Sequence, residues 1–305
     1  MPLKLPKNLP AIEVLKNENI FVMDSDRANS QDIRPLHIAI LNLMPLKERT
    51  ELDLIRLLSN TPLQLDITVV RVPGHEAKNT SSEHIERFYT SFEELMDRKF
   101  DGMIITGAPL EHLDFEDVTY WPWIQTIFDW SRTHVTSTMY ICWASQAALY
   151  HFYNIPKYDL PEKMFGIFKH HSMIENSPIF RGFDDVFYVP HSRHTEVRSE
   201  DIEKVDELTI MAESWESGVY MVMARDGREI FVTGHSEYAP DTLDTEYKRD
   251  LSKGLPIKPP VNYYKDNDPN QEIIVRWRST ANLFFSNWLN YYVYQLTPFD
   301  INEIH

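Results

Sequence analysis

Two short stretches, far apart in the sequence, carry the side chains best suited to covalent chemistry. The first, YICWAS, contains Cys142, which is the only cysteine among the 305 residues. The second, TGHSEY, places His235 and Glu237 directly after an apolar run that ends at Gly234. A thiol, an imidazole and a carboxylate are the nucleophile, the base and the orienting group of cysteine-based catalysis. Their presence predicts a nucleophilic site, if the fold brings them together.

The residues around Cys142 indicate a turn between a strand and a helix. The apolar run TMYI ends just before the cysteine, and WASQAAL begins just after it. A side chain on such a turn projects into the crevice at the carboxyl edge of a sheet. The start of the helix favours a thiolate and offers free N–H groups to an oxyanion. The alternative is a small buried core residue, the usual role of a lone cysteine.

Glu237 stands two residues after His235. In an extended segment these two side chains point the same way, so the carboxylate is placed to orient the imidazole. The alternative is that GHSE is only a polar turn after an edge strand.

The elements that would hold these side chains alternate between strands and helices over residues 36–153. Apolar runs such as LHIAILNL predict strands covered on both faces, and segments such as LKERTELDLIRLLSN have apolar residues at helical spacing. SEHIERFYTSFEELMDRKF and WPWIQTIFDWSR are two more predicted helices. This alternation predicts an α/β fold with a doubly wound, mainly parallel sheet.

The remaining segments predict extensions of that sheet. Several strands follow residue 160, with a hairpin at Asp226-Gly227. Helices are predicted at TLDTEYKRDLSKG, closed by Gly254, and at IVRWRSTANLFFSNWLNYYVYQL. We expect residues 1–35 to form an irregular or loosely docked N-terminal arm. Residues 36–305 are then a single α/β domain that includes the C-terminal helices.

Composition excludes several classes of function. The formal net charge is −16 and no basic stripe offsets it, so we expect no nucleic-acid partner. No apolar run approaches the roughly 20 residues that span a bilayer, and we expect no membrane partner. The N-terminal residues have no signal-peptide pattern, which favours a cytoplasmic location. A single cysteine rules out an intramolecular disulfide.

The chain resembles a known group of enzymes. YICWAS and TGHSEY resemble the catalytic pieces of class I glutamine-amidotransferase-like proteins, whose fold is flavodoxin-like. LNLMPLKERTE, TGAPLE, ICWASQAAL and PHSRHTE, in this order and at these distances, resemble homoserine O-acyltransferases of the MetA family. The resemblance covers the whole chain, including the arm. Trp143 departs from true amidotransferases, which generally have a small residue there, and this argues against glutamine hydrolysis.

The resemblance implies roles for particular residues. Cys142 would carry an acyl-thioester, and His235 would deprotonate first the thiol and then the hydroxyl of homoserine. Glu237 would hold the histidine. Lys47 and the backbone N–H of Trp143 would stabilise the oxyanion. Without the resemblance, Lys47 is more simply a solvated lysine at a helix start.

Lys163, Ser192 and Arg249 match family positions that contact the substrates. Arg249 would bind the α-carboxylate of homoserine, a planar target that suits a guanidinium. From the sequence alone, all three pass as ordinary surface residues.

Glu111 bears on the acyl donor. In the family, glycine at this position goes with succinyl-CoA and glutamate goes with acetyl-CoA. A carboxylate in the acyl pocket would repel the distal carboxylate of a succinyl group and fill its space. The alternative is that Glu111 points to solvent.

The resemblance therefore implies a homoserine O-acetyltransferase of methionine biosynthesis. It would convert acetyl-CoA and L-homoserine to O-acetyl-L-homoserine and CoA with ping-pong kinetics. No cofactor is expected besides the acyl donor, and family members are often homodimers. One alternative is the same enzyme using succinyl-CoA. The other is a non-catalytic, amidotransferase-like binding module.

The HSRHTE stretch also invites a metal site. His191, His194 and Glu196 have a spacing seen among metal ligands. His-x-x-His is frequent by chance, however, and the local pattern places no third ligand. We therefore expect no metal.

Overall fold

Twelve strands form one mixed sheet in the computed structural model, which describes residues 3–4, 9–17, 22–23, 34–74, 79–298 and 300–304. The strands are β1 (Leu3–Lys4), β2 (Val22–Met23), β3 (Leu36–Leu41), β4 (Leu65–Arg71), β5 (Tyr89–Ser91), β6 (Phe100–Ile105), β7 (Val135–Ile141), β8 (Tyr158–Ser172), β9 (Phe187–Glu196), β10 (Thr209–Ser214), β11 (Gly218–Ala224) and β12 (Glu229–Val232). Their spatial order is β2-β1-β4-β3-β6-β7-β12-β11-β10-β8-β9, and β5 pairs with β4.

Helices connect most of these strands. They are α1 (Ala11–Asn17), α2 (Lys47–Leu58), α3 (Ser82–Phe88), α4 (Trp121–His134), α5 (Trp143–Tyr153), α6 (Ser199–Ile202), α7 (Thr242–Ser252) and α8 (Arg278–Asn287). A π-helical segment, Trp288–Tyr294, continues α8. Among the described residues, none of the helices is both long enough and apolar enough to cross a membrane.

The sheet is parallel from β2 to β12 and antiparallel from β12 to β9. The predicted hairpin is the β11–β12 connection. Asp226 and Gly227 have φ of 55° and 88° there, in the left-handed region that an Asp-Gly turn favours. The expectation of an α/β fold with a mainly parallel sheet is confirmed.

Both faces of the parallel part are covered, which explains the nearly continuous apolar runs. In β3, Ile38 and Ile40 face one core together with residues of α2 and α8. Ala39 and Leu41 face the second core with residues of α4 and α5. Successive side chains of a strand point to opposite faces, so a strand covered on both sides is apolar throughout.

The order of the parallel strands creates a crevice at their carboxyl ends. From β3 the chain moves to β4 on one side, whereas β6, β7 and β12 lie on the other. Ligands of open α/β sheets bind where the strand order reverses in this way. β7 and β12 are paired neighbours that end level at Ile141 and Val232. Cys142 and the segment containing His235 therefore leave the sheet side by side.

One predicted helix is wrong. SEHIERFYTSFEELMDRKF is helical only until Phe88, because Tyr89–Ser91 then pairs with Val69–Arg71 of β4. A short 3₁₀ turn, Phe92–Leu95, follows. Hydrogen bonds to a neighbouring strand, invisible in the local pattern, outweigh the helical spacing.

Two terminal predictions are also corrected. Within residues 1–35, Leu3–Lys4 pairs with β4 and β2, and Leu9 and Leu15 are buried. An irregular arm is wrong for these residues, and the rest of it lies largely outside the described residues. The last long helix begins at Arg278 rather than at Ile274. The division at residue 36 stays a prediction.

The amino edge of the sheet offers a test of fold stability away from the crevice. Arg132 donates to buried Glu229 through Nε at 2.6 Å and through Nη2 at 3.1 Å. Arg132→Met should lower the free energy of unfolding by about 2 kcal/mol, because the buried carboxylate loses its nearer cation and keeps only Arg225, whose Nη1 lies 3.4 Å from Oε1. Urea denaturation measures this loss. Lys258→Met, which removes an exposed ion pair with Glu162, is the control, and an equal loss in both would contradict the argument.

Candidate active site

Cys142 occupies a strained turn between β7 and α5. Its φ of 52° and ψ of −112° lie outside the regions that non-glycine residues prefer. Its N–H donates to the carbonyl of Val232 at 2.7 Å, and its carbonyl accepts from the N–H groups of Ser145 and Gln146 at 3.0 and 3.2 Å. Such strain persists only where surrounding contacts enforce it, and it is frequent at functional sites. The predicted elbow is therefore present, and the thiol lies at the carboxyl edge of the sheet.

The imidazole of His235 meets the thiol from the neighbouring strand end. Its ring interacts electrostatically with the Cys142 side chain, and its Nδ1 lies 2.6 Å from Oε1 of Glu237. The ring of Tyr238 stacks on it, with centroids 4.1 Å apart. The segment is a turn rather than extended chain, since Tyr238 N–H donates to the carbonyl of His235. The structure thus brings the three predicted residues together, although by a different local conformation.

The charges at this site reinforce one another. Burial by itself would lower the pKa of His235, but the charges of Cys142 and Glu237 outweigh it and raise the pKa well above its usual value. The imidazolium of His235 therefore lies between two acidic groups, the thiol of Cys142 and the carboxylate of Glu237. The arrangement is that of an activated nucleophile.

Gly107, two residues after the end of β6, leaves room for the side chains of Cys142 and His235. A Cβ atom on this glycine would lie 3.2 Å from Cβ of Cys142 and 3.7 Å from Cε1 of His235. Any larger residue would press on the reacting pair. The sequence contained this glycine in TGAPLE, but its role is visible only in the structure.

Lys47 is buried, with 5% relative exposure, so a solvated lysine is wrong. Its ammonium donates to the carbonyl of Asn42 and lies 5.5 Å from the centroid of the Tyr89 ring. Burial lowers the pKa of Lys47 to about 8, although Glu51 opposes this shift. Its hydrogen bond and its ring contact are to Asn42 and Tyr89 rather than to Cys142, and the oxyanion role of Lys47 stays a prediction.

Trp143 is the first residue of α5, directly after the nucleophile. The first N–H groups of a helix have no partner within that helix, so the N–H of Trp143 is suited to receive an oxyanion. Its indole is fully buried on the other face of the sheet, against Phe115 and Trp121. The bulky side chain therefore points away from the thiol.

Lys163, Ser192 and Arg249 converge on one carboxylate that sequence reasoning missed. Glu246 of α7 lies 2.6 Å from Nζ of Lys163 and accepts hydrogen bonds of 2.9 and 3.0 Å from Oγ of Ser192. Nη2 of Arg249 lies 3.6 Å from it, and Nε donates to Asp250 at 2.7 Å. The only local signal was the spacing of Glu246 and Arg249 on one helix face.

Glu111 interacts electrostatically with His235 of the reacting pair and with Glu246 of this cluster. It is half-buried, and burial raises its pKa, while His235 and His112 lower it and Glu246 raises it further. Its carbonyl accepts from Nζ of Lys157 at 2.8 Å. The effects of His235 and Glu246 on its pKa agree with a carboxyl group that faces the site, and the direction of the side chain stays a prediction.

The histidines of HSRHTE lie on opposite faces of β9. His191 is completely buried, whereas His194 is half-exposed and its ring packs against that of His112 at a tilt of 51°, with centroids 4.6 Å apart. The described part of the chain contains no group of three or more His, Cys, Asp or Glu side chains that could hold a metal ion.

Solved structures share this arrangement of strands. A glutamine amidotransferase from Thermotoga maritima aligns over 84% of this chain and 98% of its own, with a TM-score of 0.53 and 13% identity. A glutamine amido transferase from Methylobacillus flagellatus aligns over 85% and 95%, with a TM-score of 0.50 and 11% identity. At such identities the likeness concerns the fold alone. The fold is that of the class I glutamine-amidotransferase-like proteins, as predicted.

Sequence relatives define the family. A family model described as homoserine O-succinyltransferase matches residues 2–299. A Phocaeicola vulgatus protein named homoserine O-acetyltransferase is 68% identical over 304 residues, which is 100% of both chains. Proteins with the same name from Bacteroides thetaiotaomicron and Brevibacillus brevis are 67% and 61% identical, and cover 100% and 99% of both chains. The chain belongs to the homoserine O-succinyltransferase family, which confirms the resemblance.

Alkylation by iodoacetamide tests whether His235 activates Cys142. At pH 7, His235→Asn should react at least about tenfold more slowly than the wild type, because an isolated thiol is only a few per cent thiolate at that pH. Mass spectrometry of the alkylated peptide gives the rate. His171→Asn, which alters a half-exposed histidine stacked on Trp215, should react like the wild type. Equal rates for the wild type and His235→Asn would refute activation.

Proposed function

We propose that the protein is a homoserine O-acetyltransferase, which transfers the acetyl group of acetyl-CoA to L-homoserine in methionine biosynthesis. The observation that carries the proposal is the grouping of Cys142, His235 and Glu237 at a strained elbow, where Nδ1 of His235 lies 2.6 Å from Oε1 of Glu237. The names of the full-length relatives support the same reaction. A non-catalytic binding module would have no need of a strained cysteine paired with a buried, protonated histidine.

The first half-reaction acylates the cysteine. The Cys142 thiolate attacks the thioester carbonyl of acetyl-CoA, and the negative charge that develops on its oxygen is stabilised by the N–H of Trp143 and by the ammonium of Lys47. The bond from the carbonyl carbon to the CoA sulfur then breaks. The leaving thiolate takes the proton of the His235 imidazolium, so that CoA departs as a thiol and the imidazole becomes neutral.

The second half-reaction transfers the acetyl group to homoserine. Neutral His235 accepts the proton of the homoserine hydroxyl as its oxygen attacks the acyl-thioester. Breaking the carbon–sulfur bond releases O-acetyl-L-homoserine and restores the thiolate beside the imidazolium. Glu237 keeps the ring in one orientation through both steps.

The polar cluster next to this site suits an amino acid. Arg249 is half-exposed and presents a guanidinium for the α-carboxylate, while Glu246 presents a carboxylate for the ammonium group. Lys163 and Ser192 hold Glu246 in place. The positive charges of Lys163 and Arg249 are therefore largely matched by Glu246 and Asp250, not left free for the CoA phosphates.

Glu111 favours the acetyl donor over the succinyl donor. Its half-buried carboxyl group interacts with His235 and Glu246, so a second carboxylate at the end of the acyl chain would meet like charge. The family description names succinyl transfer, whereas the most similar relatives named above are acetyltransferases. Succinyl transfer is therefore the second candidate. A cytoplasmic location, a homodimer and the lack of a further cofactor stay predictions.

Intact-protein mass spectrometry tests the covalent intermediate. Brief mixing with acetyl-CoA, without homoserine, should add one acetyl group to the wild type and none to Cys142→Ser, because serine lacks the thiol nucleophile. Addition of homoserine should remove the adduct and yield the O-acetyl product. An adduct with succinyl-CoA alone would overturn the acetyl assignment. The lack of any adduct, together with acetyl transfer that persists in Cys142→Ser, would overturn the mechanism.

Substitution of Glu111 tests whether its carboxylate selects acetyl-CoA over succinyl-CoA. Glu111→Gly should lower kcat/KM for acetyl-CoA and raise kcat/KM for succinyl-CoA, so that their ratio changes by about 100-fold or more. This corresponds to about 3 kcal/mol of like-charge repulsion and crowding removed. Glu116→Gln removes a nearby exposed carboxylate that bonds to Tyr150, and it should leave the ratio unchanged. An unchanged ratio in Glu111→Gly would show that this carboxylate does not select the donor.

A further inference from the structure

The guanidinium of Arg193, on β9, is buried although the proposed reaction gives it no role. Its relative exposure is 1%, and it is among the largest fully buried side chains of the described residues. A buried arginine is normally accompanied by a carboxylate, because an isolated charge in the interior is costly. The group that balances this charge is therefore informative about function.

The hydrogen bonds of Arg193 within the described residues all go to neutral acceptors. Nη1 donates to the carbonyl of Thr195 at 2.7 Å, and Nη2 donates to the carbonyl of Ser217. Nε donates to Nδ1 of His191 at 3.3 Å. Burial, followed by the charge of Arg193 itself, lowers the pKa of His191 well below its usual value, so this ring is neutral. No carboxylate of the described chain forms an ion pair with Arg193.

The hydrogen bond to the Thr195 carbonyl connects Arg193 to the elbow at Cys142. The Thr195 hydroxyl donates to Oε1 of Gln146 at 2.7 Å, and the Gln146 amide returns a bond of 3.3 Å to the Thr195 carbonyl. The backbone N–H of Gln146 donates to the carbonyl of Cys142 at 3.2 Å. The guanidinium and the first turn of α5 therefore share Thr195 as a common partner.

The hydrogen bond to His191 connects Arg193 to the segment that contains the proposed base, His235. His191 packs against the residue before His235, since a Cβ atom on Gly234 would lie 2.9 Å from Nε2 of His191. That Nε2 also lies 3.1 Å from Nε2 of His170, whose Nδ1 bonds to a backbone carbonyl. This bonding leaves both histidines in neutral tautomers. Arg193 is thus connected to the segments of both reacting residues through uncharged groups.

We propose that Arg193 is a positioning residue whose buried positive charge has the Cys142 thiolate as its counter-charge and stabilises that thiolate. The inference rests on the proposed role of Cys142 as the nucleophile. The interior strengthens such an interaction, because charges there are poorly screened. The same charge makes sulfur a better leaving group in the second half-reaction.

The electrostatics around Arg193 agree with this assignment. Burial lowers the pKa of Arg193 to about 10, and Cys142 opposes that shift more strongly than Glu196 does. The other titratable groups that interact with it are the two neutral histidines, His170 and His191. The thiol is therefore the acidic group to which this cation is most strongly coupled.

The pH dependence of iodoacetamide alkylation tests the proposal. The pH of half-maximal alkylation should rise by about one unit in Arg193→Met, which makes alkylation about tenfold slower below that pH. Arg193→Lys keeps the charge and should lie closer to the wild type than to the methionine variant. Arg193→Gln also lacks the charge but keeps a donor for the two carbonyls, and it replaces Arg193→Met if that protein does not fold.

A matched control separates charge from stability. Arg132→Met makes the same exchange at the opposite edge of the sheet and should lower the unfolding temperature without moving the half-maximal pH. Neutral variants of Arg193 that are less stable but keep the wild-type half-maximal pH would overturn the inference and leave the nucleophile intact. A wild type that alkylates like an ordinary thiol would overturn both.

Discussion

The parallel pairing of β7 with β12 determines where the reacting groups stand. The two strands pair from Thr138 with Glu229 to Ile141 with Val232, so they end level at the same edge. The N–H of Cys142 extends this ladder by bonding to the Val232 carbonyl, which helps hold the elbow in its strained conformation. A shift of register by one residue would turn the side chains of a strand to the opposite face and separate the thiol from the imidazole.

Alternation of buried charge is the second constraint on the site. In the proposed mechanism the carboxylate of Glu237, the imidazolium of His235 and the thiolate of Cys142 alternate in sign, and the proposed role of Arg193 adds a guanidinium to this series. Such an order lowers the cost of removing each charge from water, and removing one member leaves its neighbour uncompensated. The substrate cluster around Glu246 follows the same rule in a more exposed setting, where solvent weakens each interaction.

Prediction succeeded where the local pattern and the tertiary contacts favour the same structure. Apolar runs marked the strands of the parallel sheet because both faces are covered, and Asp226-Gly227 marked its hairpin because the turn requires left-handed backbone. It failed after Phe88, where the chain leaves a helical pattern to pair with β4. Glu246 and Arg193 were missed, because a polar side chain at one position says nothing about the partners that a distant segment supplies.

The sequence by itself determined the fold class, the elbow at Cys142 and the pairing of His235 with Glu237. The fold class depends on short-range patterns of apolar residues. The elbow and the His235–Glu237 pair depend on spacings of a few residues, which can be read directly from the sequence. Only the tertiary structure decided that Lys47 is buried, that Glu111 is half-buried, and that Arg193 is buried without a carboxylate ion pair among the described residues. Those properties depend on which side chains meet across the sheet edge and on how far water is excluded there. Both are set by the packing of segments that are far apart in the chain.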